Sequence, residues 1–271
     1  MSDRRSTPAT ARVGLARLRG RLERPAWTEG RPARVAAPLT DLCRAPGGAR
    51  DRQLLHGAGV TVIDEDGGWC FVEAEADGYC GWMEAAALAG SGPAPTHRVA
   101  APATHVYREP DIKRGELMAL SLGSRLAGEA EGRFLRLATG GFVPLAHVAE
   151  GPATDPVSVA ESLVGTPYLW GGNSRWGIDC SGLVQAALTA CGIACPGDSD
   201  QQWAALGCAV EDPPRRGDLI FWRGHVALVA GPDRIVHANG HTMSVAHEGL
   251  AAAMARIEAA GEGPFLGRKR L

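Results

Sequence analysis

Short runs of alternating apolar and polar residues, broken by glycine-rich turns, fill the first 150 positions, and the pattern changes after them. Gly59-Val60-Thr61-Val62-Ile63 passes through the turn signal Asp64-Glu65-Asp66-Gly67-Gly68 into Trp69-Cys70-Phe71-Val72-Glu73, which reads as a β-hairpin. Phe134-Leu135-Arg136-Leu137-Ala138, a glycine turn and Gly141-Phe142-Val143 read the same way. From about 157 the chain predicts a short helix, Val157 to Val164, ended by Gly165-Thr166-Pro167, and a second from Ser181 to Ala190, stopped by Gly192. Strand-like runs follow: 218–222, 225–230, 234–237 and 265–268. Helices first and consecutive strands afterwards predict an α+β unit with an antiparallel sheet.

The early region repeats itself. Arg34-Val35-Ala36-Ala37-Pro38 recurs 64 residues later as Arg98-Val99-Ala100-Ala101-Pro102, and Thr40, Arg44 and Pro46 match Thr104, Arg108 and Pro110 at the same offset. Two copies are too few for a solenoid and suit two small β-barrels, 33–90 and 97–150. The linkers Gly90-Ser91-Gly92-Pro93-Ala94-Pro95 and Gly151-Pro152-Ala153-Thr154-Asp155-Pro156 bound the second copy, leaving a basic arm at 1–32 and a larger unit at 157–271.

At 45% apolar and 21% charged residues, the composition excludes a chain disordered throughout. No apolar run approaches the ~18 residues of a membrane span. A formal charge of -2 gives no global field for nucleic acid, so neither membrane nor nucleic acid is an expected partner. That small charge hides an asymmetry: residues 1–34 carry nine Arg against Asp3, Glu23 and Glu29, a balance of +6 on a remainder of -8. The segment lacks the apolar core of a secretion signal, and Pro8, Pro25 and Pro32 oppose a long helix. It reads as a solvated or loosely docked arm on a monomeric, cytoplasmic protein with free thiols. Seven cysteines leave at least one unpaired.

Cys180 stands where a Gly-rich loop meets a predicted helix, with Asp179 as N-cap, and a helix N-terminus favours the thiolate. His225 opens a strand, and His237 closes the next one beyond the turn Gly231-Pro232-Asp233, so the two fall side by side and His237 could orient His225. The Cys180 backbone N–H and the Tyr168 hydroxyl are candidate oxyanion donors. Plainer readings exist. A cysteine opening a helix is more often packed than reactive. Asp179 could be a cap alone, and Asp198-Ser199-Asp200 could cap a helix through Gln201-Gln202-Trp203. Trp170 and Trp176 could line a cleft or pack. His241 and His247 are rivals for the place given to His237. Cys43, Cys70 and Cys80 read as strand residues and Cys208 as a small buried one. Cys191 and Cys195 lack the second pair a zinc site needs. His56, His97, His105 and His147 read as surface or turn residues.

The segments Tyr168-Leu169-Trp170-Gly171-Gly172, Asp179-Cys180-Ser181-Gly182, Gly217-Asp218-Leu219-Ile220-Phe221 and His225-Val226 resemble the signature of the NlpC-type cell-wall cysteine peptidases, over about 157–271. Asp77-Gly78-Tyr79-Cys80-Gly81-Trp82 resembles bacterial SH3-like domains. The resemblance implies a papain-like domain behind two SH3-like barrels, with Cys180 as nucleophile, His225 as base, His237 as orienting residue and no metal or cofactor. With Gly197-Asp198-Ser199-Asp200-Gln201 it narrows to the γ-D-glutamyl-L-diamino-acid endopeptidases of muropeptide recycling, the dipeptidyl-peptidase VI type. Those act on free peptidoglycan-derived peptides, L-Ala-γ-D-Glu-diamino acid, with an unblocked L-Ala. The implied substrate contacts are Asp198 and Ser199, with Tyr79 and an acidic partner such as Asp51 from the first barrel. Asp179, Ser181 and Trp170 join the candidates. The alternatives are an amidase or acyltransferase using the same Cys–His pair, and a non-catalytic cell-wall binding protein. The basic arm and the Trp-poor second repeat depart from the pattern.

Overall fold

The computed structural model describes residues 3–271 and divides into two compact units, one ending at Glu150 and one spanning Gly151–Leu271. The N-terminal unit holds both copies of the repeat. The first is a seven-stranded sheet in the spatial order Arg50–Leu55, Leu39–Cys43, Cys80–Glu84, Trp69–Ala74, Gly59–Asp66, Arg31–Val35, Leu88–Gly90, every neighbouring pair antiparallel. Period-two alternation puts Val60, Val62, Val72 and Met83 into one core. The second copy follows the same strand order with one break. The long strand Gly59–Asp66 pairs on both sides, whereas its counterpart is split at Ala127 into Arg125–Leu126 and Gly128–Glu131, which pair in different sheets. Val106, Leu120, Leu135 and Val143 fill that core.

The basic segment is neither solvated nor loose. Val13–Leu15 pairs in parallel with Ala26–Thr28, and Leu15, 3% exposed, packs with Ile63, Phe71 and Cys80 of the first barrel. Its arginines meet acids on the same barrel: Arg4 with Asp51 (2.6 Å), Arg12 with Asp64 (2.9 Å), and Arg17 with Glu73. Apolar burial together with local charge pairing explains why a segment of +6 lies down. His56, read from sequence as a surface or turn residue, is buried. Its Nδ1 lies 2.9 Å from the Ala36 carbonyl, and its own carbonyl accepts from the Arg125 N–H where the barrels meet.

In the C-terminal unit α1 (Pro156–Ser162) and α2 (Cys180–Ala190) come first, then α3 (Ser199–Ala205). Six strands form one antiparallel sheet: β1 (Cys208–Ala209), β2 (Leu219–Trp222), β3 (His225–Gly231), β4 (Arg234–Asn239), β5 (Ser244–Gly249) and β6 (Phe265–Arg270), in the order β1-β6-β2-β3-β4-β5. α4 (Leu250–Ala260) ends at Gly261, whose φ of +64° suits glycine at a helix C-terminus. The sequence reading missed β5 and α4. Ala253 and Ile257 of α4 cover a face made by Ile220, Trp222, Ala227, Val229 and Ile235. Cys208, expected to be buried, is exposed on the short β1, which pairs only with β6. Among the described residues no helix is long and apolar enough to cross a membrane.

Asp218 ties the sheet together. Its carboxylate accepts from Arg270 Nε (2.7 Å) and Nη2 (2.9 Å), from the Arg215 N–H (2.9 Å) and from Arg268. Burial alone would raise this carboxyl; the hydrogen bonds from Arg270, Arg215 and Arg268 outweigh it and hold it down at about 2. A carboxyl depressed on folding adds stability that is complete above its unfolded pKa of ~3.9 and is lost as pH falls through the folded value, here on the order of 2 kcal/mol. Urea denaturation should therefore record a fall in stability between about pH 4 and 2. Asp218→Asn should lose about 3 kcal/mol at pH 7 and flatten that acid limb; a limb as steep as wild type would remove Asp218 as its cause.

Candidate active site

The start of α2 is fixed by its own cap. Asp179 Oδ1 accepts from the Gly182 N–H (2.7 Å) and the Ser181 hydroxyl (3.1 Å), and Oδ2 accepts from the Gly171 N–H (2.9 Å). One carboxylate thus joins the helix to the loop that precedes it. Glycine is required at the junction: a Cβ on Gly182 would stand 2.5 Å from the Gly172 carbonyl oxygen. Burial raises the Asp179 carboxyl and the Asp198 charge adds to this, while the Gly182, Gly171 and Ser181 bonds oppose it. Asp179 and Ser181, candidates for substrate contact in the sequence, are engaged with each other and with the helix start.

That cap presents Cys180, which is 7% exposed, to the start of β3; Sγ lies 4.0 Å from the Gly224 carbonyl oxygen. The two-residue turn Arg223-Gly224 reverses the chain between the paired residues Trp222 and His225, with Gly224 at φ +83°. His225 therefore starts its strand at a defined height beside the thiol. Its Nε2 lies 2.9 Å from Nδ1 of His237, which is fully buried on β4. The Trp222 ring lies 5.6 Å from the His225 ring, tilted by 40°. His241 and His247 have no such contact with His225 among the described hydrogen bonds; His247 approaches Glu161 at 3.5 Å.

Burial pushes the Cys180 thiol up to about 12, with Asp179 adding to it and the N–H groups of Val226, Ser181 and Cys180 opposing. Burial and the neighbouring His237 push His225 down to about 3; burial takes His237 to about 4. Desolvation thus works against the helix dipole at this thiol and drives thiol and imidazole alike toward their neutral forms. A neutral thiol beside a neutral imidazole remains equipped for nucleophilic attack if the proton leaves sulfur as the bond forms.

Around the pair, the loop before α2 is laced to β5: Gly165 N–H donates to Val245, Val245 N–H to Thr166, and Tyr168 N–H to Met243. Burial raises the half-buried Tyr168 hydroxyl, as do the charges of Cys180 and Asp179. Trp170 (68% exposed) and Trp176 (47%) stand out into solvent rather than packing. Gln202, fully buried on α3, donates to the carbonyls of Ser181 and Pro196, both at 2.9 Å, and so holds the α3 N-terminus, with Asp198 and Ser199, near the start of α2.

The two candidates from the first barrel fare differently. Tyr79 is buried in the barrel core with the Arg52 guanidinium 5.0 Å above its ring. Asp51 is bound by Arg4 through both oxygens (2.6 and 2.8 Å) and by Arg44 (2.8 Å). Burial would raise this carboxyl, but the two arginines hold it below the usual carboxylate range. Its charge is already answered by arginines within its own unit. Sequence reasoning also missed Glu248 on β5, whose Oε2 lies 3.1 Å from His237 Nε2, and Arg256 of α4, which grips Glu248. The only signal was a Glu in a polar stretch after His237; its meaning needs the β4–β5 register, in which His237 pairs with Ala246 two residues away.

A thiol on a helix N-terminus, against an antiparallel sheet that supplies a histidine pair, defines a cysteine peptidase of papain-like fold. The sequence signature of the NlpC/P60 family matches residues 165–256, and that of the bacterial dipeptidyl-peptidase SH3 domain matches residues 42–88. The γ-D-glutamyl-L-lysine dipeptidyl-peptidase of Bacillus subtilis is 31% identical over 214 residues, 69% of this chain and 71% of that protein. The Bacillus cereus protein of the same name is 30% identical over 224 residues, 69% and 67% of the two chains. A crystal structure of an NlpC/P60 family protein from Bacillus cereus superposes with a TM-score of 0.75 at 24% identity, covering 88% of this chain and 99% of that one. The chain belongs to the NlpC/P60 family.

Gly182→Ala tests the helix–loop junction. The clash with Gly172 should lower stability by about 1–3 kcal/mol and reduce thiol-dependent turnover more than an Ala at the open position Gly151 does. Equal stability and turnover for the two variants, read by thermal denaturation and peptidase assay, would show that the close approach has no consequence.

Proposed function

We propose that this protein is a cysteine endopeptidase that hydrolyses the γ-D-glutamyl–diamino acid bond of free peptidoglycan stem peptides bearing an N-terminal L-Ala. The observation that carries this reading is the extent of the similarity to the γ-D-glutamyl-L-lysine dipeptidyl-peptidases: 214 residues are more than the whole C-terminal unit, so the match continues into the barrels. A reducing, cytoplasmic setting, in which free peptides rather than intact wall are met, is part of this reading.

Cys180 is the nucleophile in this mechanism. His225 Nε2 is engaged by His237, so Nδ1 takes the Sγ proton as sulfur attacks the γ-carbonyl carbon. The oxyanion is held by the Cys180 N–H, which has no partner within its helix, and by the Tyr168 hydroxyl. Collapse expels the diamino acid's amine, which takes the proton back from His225, and leaves a thioester. Water, deprotonated by the same nitrogen, then releases the glutamyl carboxylate and restores the thiol. Asp198 supplies the carboxylate for the substrate ammonium, with Ser199 beside it, and the exposed Trp170 lies along the peptide.

The test is chromatography of L-Ala-γ-D-Glu-meso-diaminopimelate and of the L-Lys peptide after incubation with enzyme. Wild type should release L-Ala-D-Glu, and Cys180→Ala should lose activity by a factor of ~10⁴ or more. Undiminished cleavage by the variant would end the assignment. N-acetylation of the substrate Ala should block cleavage, and Asp198→Asn should raise KM for the free-amine peptide. Equal cleavage of acetylated and free peptides would favour an amidase or acyltransferase using the same pair.

A further inference from the structure

We propose that Glu248 is a positioning residue for the histidine pair, fixing through His237 the tautomer that leaves His225 Nδ1 free to accept the thiol proton. The inference rests on the reading of Cys180 and His225 as nucleophile and base. It starts from the sheet register. His237 pairs with Ala246 on β5, so Glu248, two residues on, shares its face. The β3–β4 pairs Leu228–Val236 and Val229–Ile235, continued toward the strand start, put His225 on that face as well. His225, His237 and Glu248 form a diagonal across three adjacent strands, and Arg256 of α4 lies over its end.

The contacts along the diagonal assign the protons. Glu248 Oε1 and Oε2 accept from Arg256 Nε and Nη2 at 3.0 and 2.9 Å, which orients the carboxylate. Its Oε2 lies 3.1 Å from His237 Nε2. That nitrogen is buried, and no aligned hydrogen bond satisfies it among the described residues; Glu248 is the acceptor within reach, its oxygen somewhat off the N–H direction. A carboxylate requires a donor, so His237 carries its proton on Nε2 and offers Nδ1 as acceptor. His225 must then donate from Nε2 across the 2.9 Å contact, and its Nδ1 is left with a lone pair. Without Glu248, His237 could equally hold its proton on Nδ1. That tautomer reverses the chain and leaves His225 with an N–H on Nδ1, unable to act as a base. Arg256 also bonds Glu262, at 3.4 Å, so the anchor is shared with the end of α4.

A structural role for Glu248, merely pinning α4 to β5 through Arg256, makes a different prediction, and a double-mutant cycle separates the two. Glu248→Ala should lower kcat about tenfold with KM unchanged, part of the ~100-fold or more that a positioned base supplies. Glu248→Gln, which keeps the shape and one acceptor, should recover part of that loss. In a His237→Asn background Glu248→Ala should have no further effect. The same loss in both backgrounds, or no loss in the first, would overturn the proposal. An arm independent of substrate identity is ¹⁵N NMR of the histidine rings in the ligand-free protein. Wild type should hold His225 and His237 with Nε2 protonated and Nδ1 bare, and Glu248→Gln should mix the tautomers. Unchanged tautomers would refute the role of Glu248 whatever the substrate proves to be, whereas the expected spectra with no cleavage of either peptide would count against the substrate alone.

Discussion

The Asp179 carboxylate accepts the Gly182 N–H on one oxygen and the Gly171 N–H on the other, and through those bonds the loop carrying Tyr168 and Trp170 cannot shift independently of the helix that presents Cys180. Everything at the site is positioned from that junction. The glycine on each side of it lets backbone approach backbone more closely than any side chain allows, and Gln202 brings α3 to the same helix start. Nucleophile, candidate oxyanion donor and candidate substrate carboxylate hang from one capped turn, while the bases hang from the sheet. Only the Arg223-Gly224 turn has to bring the sheet to the correct height beside it.

The same arrangement places ionisable groups where ions are unfavourable. Cys180, His225 and His237 all lose hydration, and each is driven toward its neutral form. Any charge that develops on this pair during catalysis has to be stabilised against that desolvation. A fixed hydrogen-bond chain suits that need: Arg256 and Glu248 balance each other permanently, and the histidines between them and the thiol are poised to receive one proton.

What could be seen in the sequence was whatever lay in contiguous chain. Cys180, its cap and its glycine are neighbours in one motif, and their spacing carries the geometry directly. His225 and His237 were visible because a single turn joins their strands. Glu248 and Arg256 were not, because their meaning depends on the register of β4 with β5 and on a helix that returns over the sheet. α4 had its own signal, an alanine-rich run closed by Gly261, but without a polar motif it drew no notice. The surroundings of Asp51 were hidden for a related reason: a carboxylate's partners, such as Arg4, can lie 47 positions away. Cys208 and His56 were misplaced because residue type predicts burial only on average, and position in the sheet decided each case.

The docked basic segment has a consequence for how the chain is made. Its arginines close on acids that lie 47 to 56 positions later, and Leu15 waits for Phe71 and Cys80. At a synthesis rate of ~5–20 residues per second the segment emerges roughly 2 to 11 s before those acids exist. The segment is thus among the last parts of its barrel to become ordered, and during that interval its leucine and its positive charges face solvent.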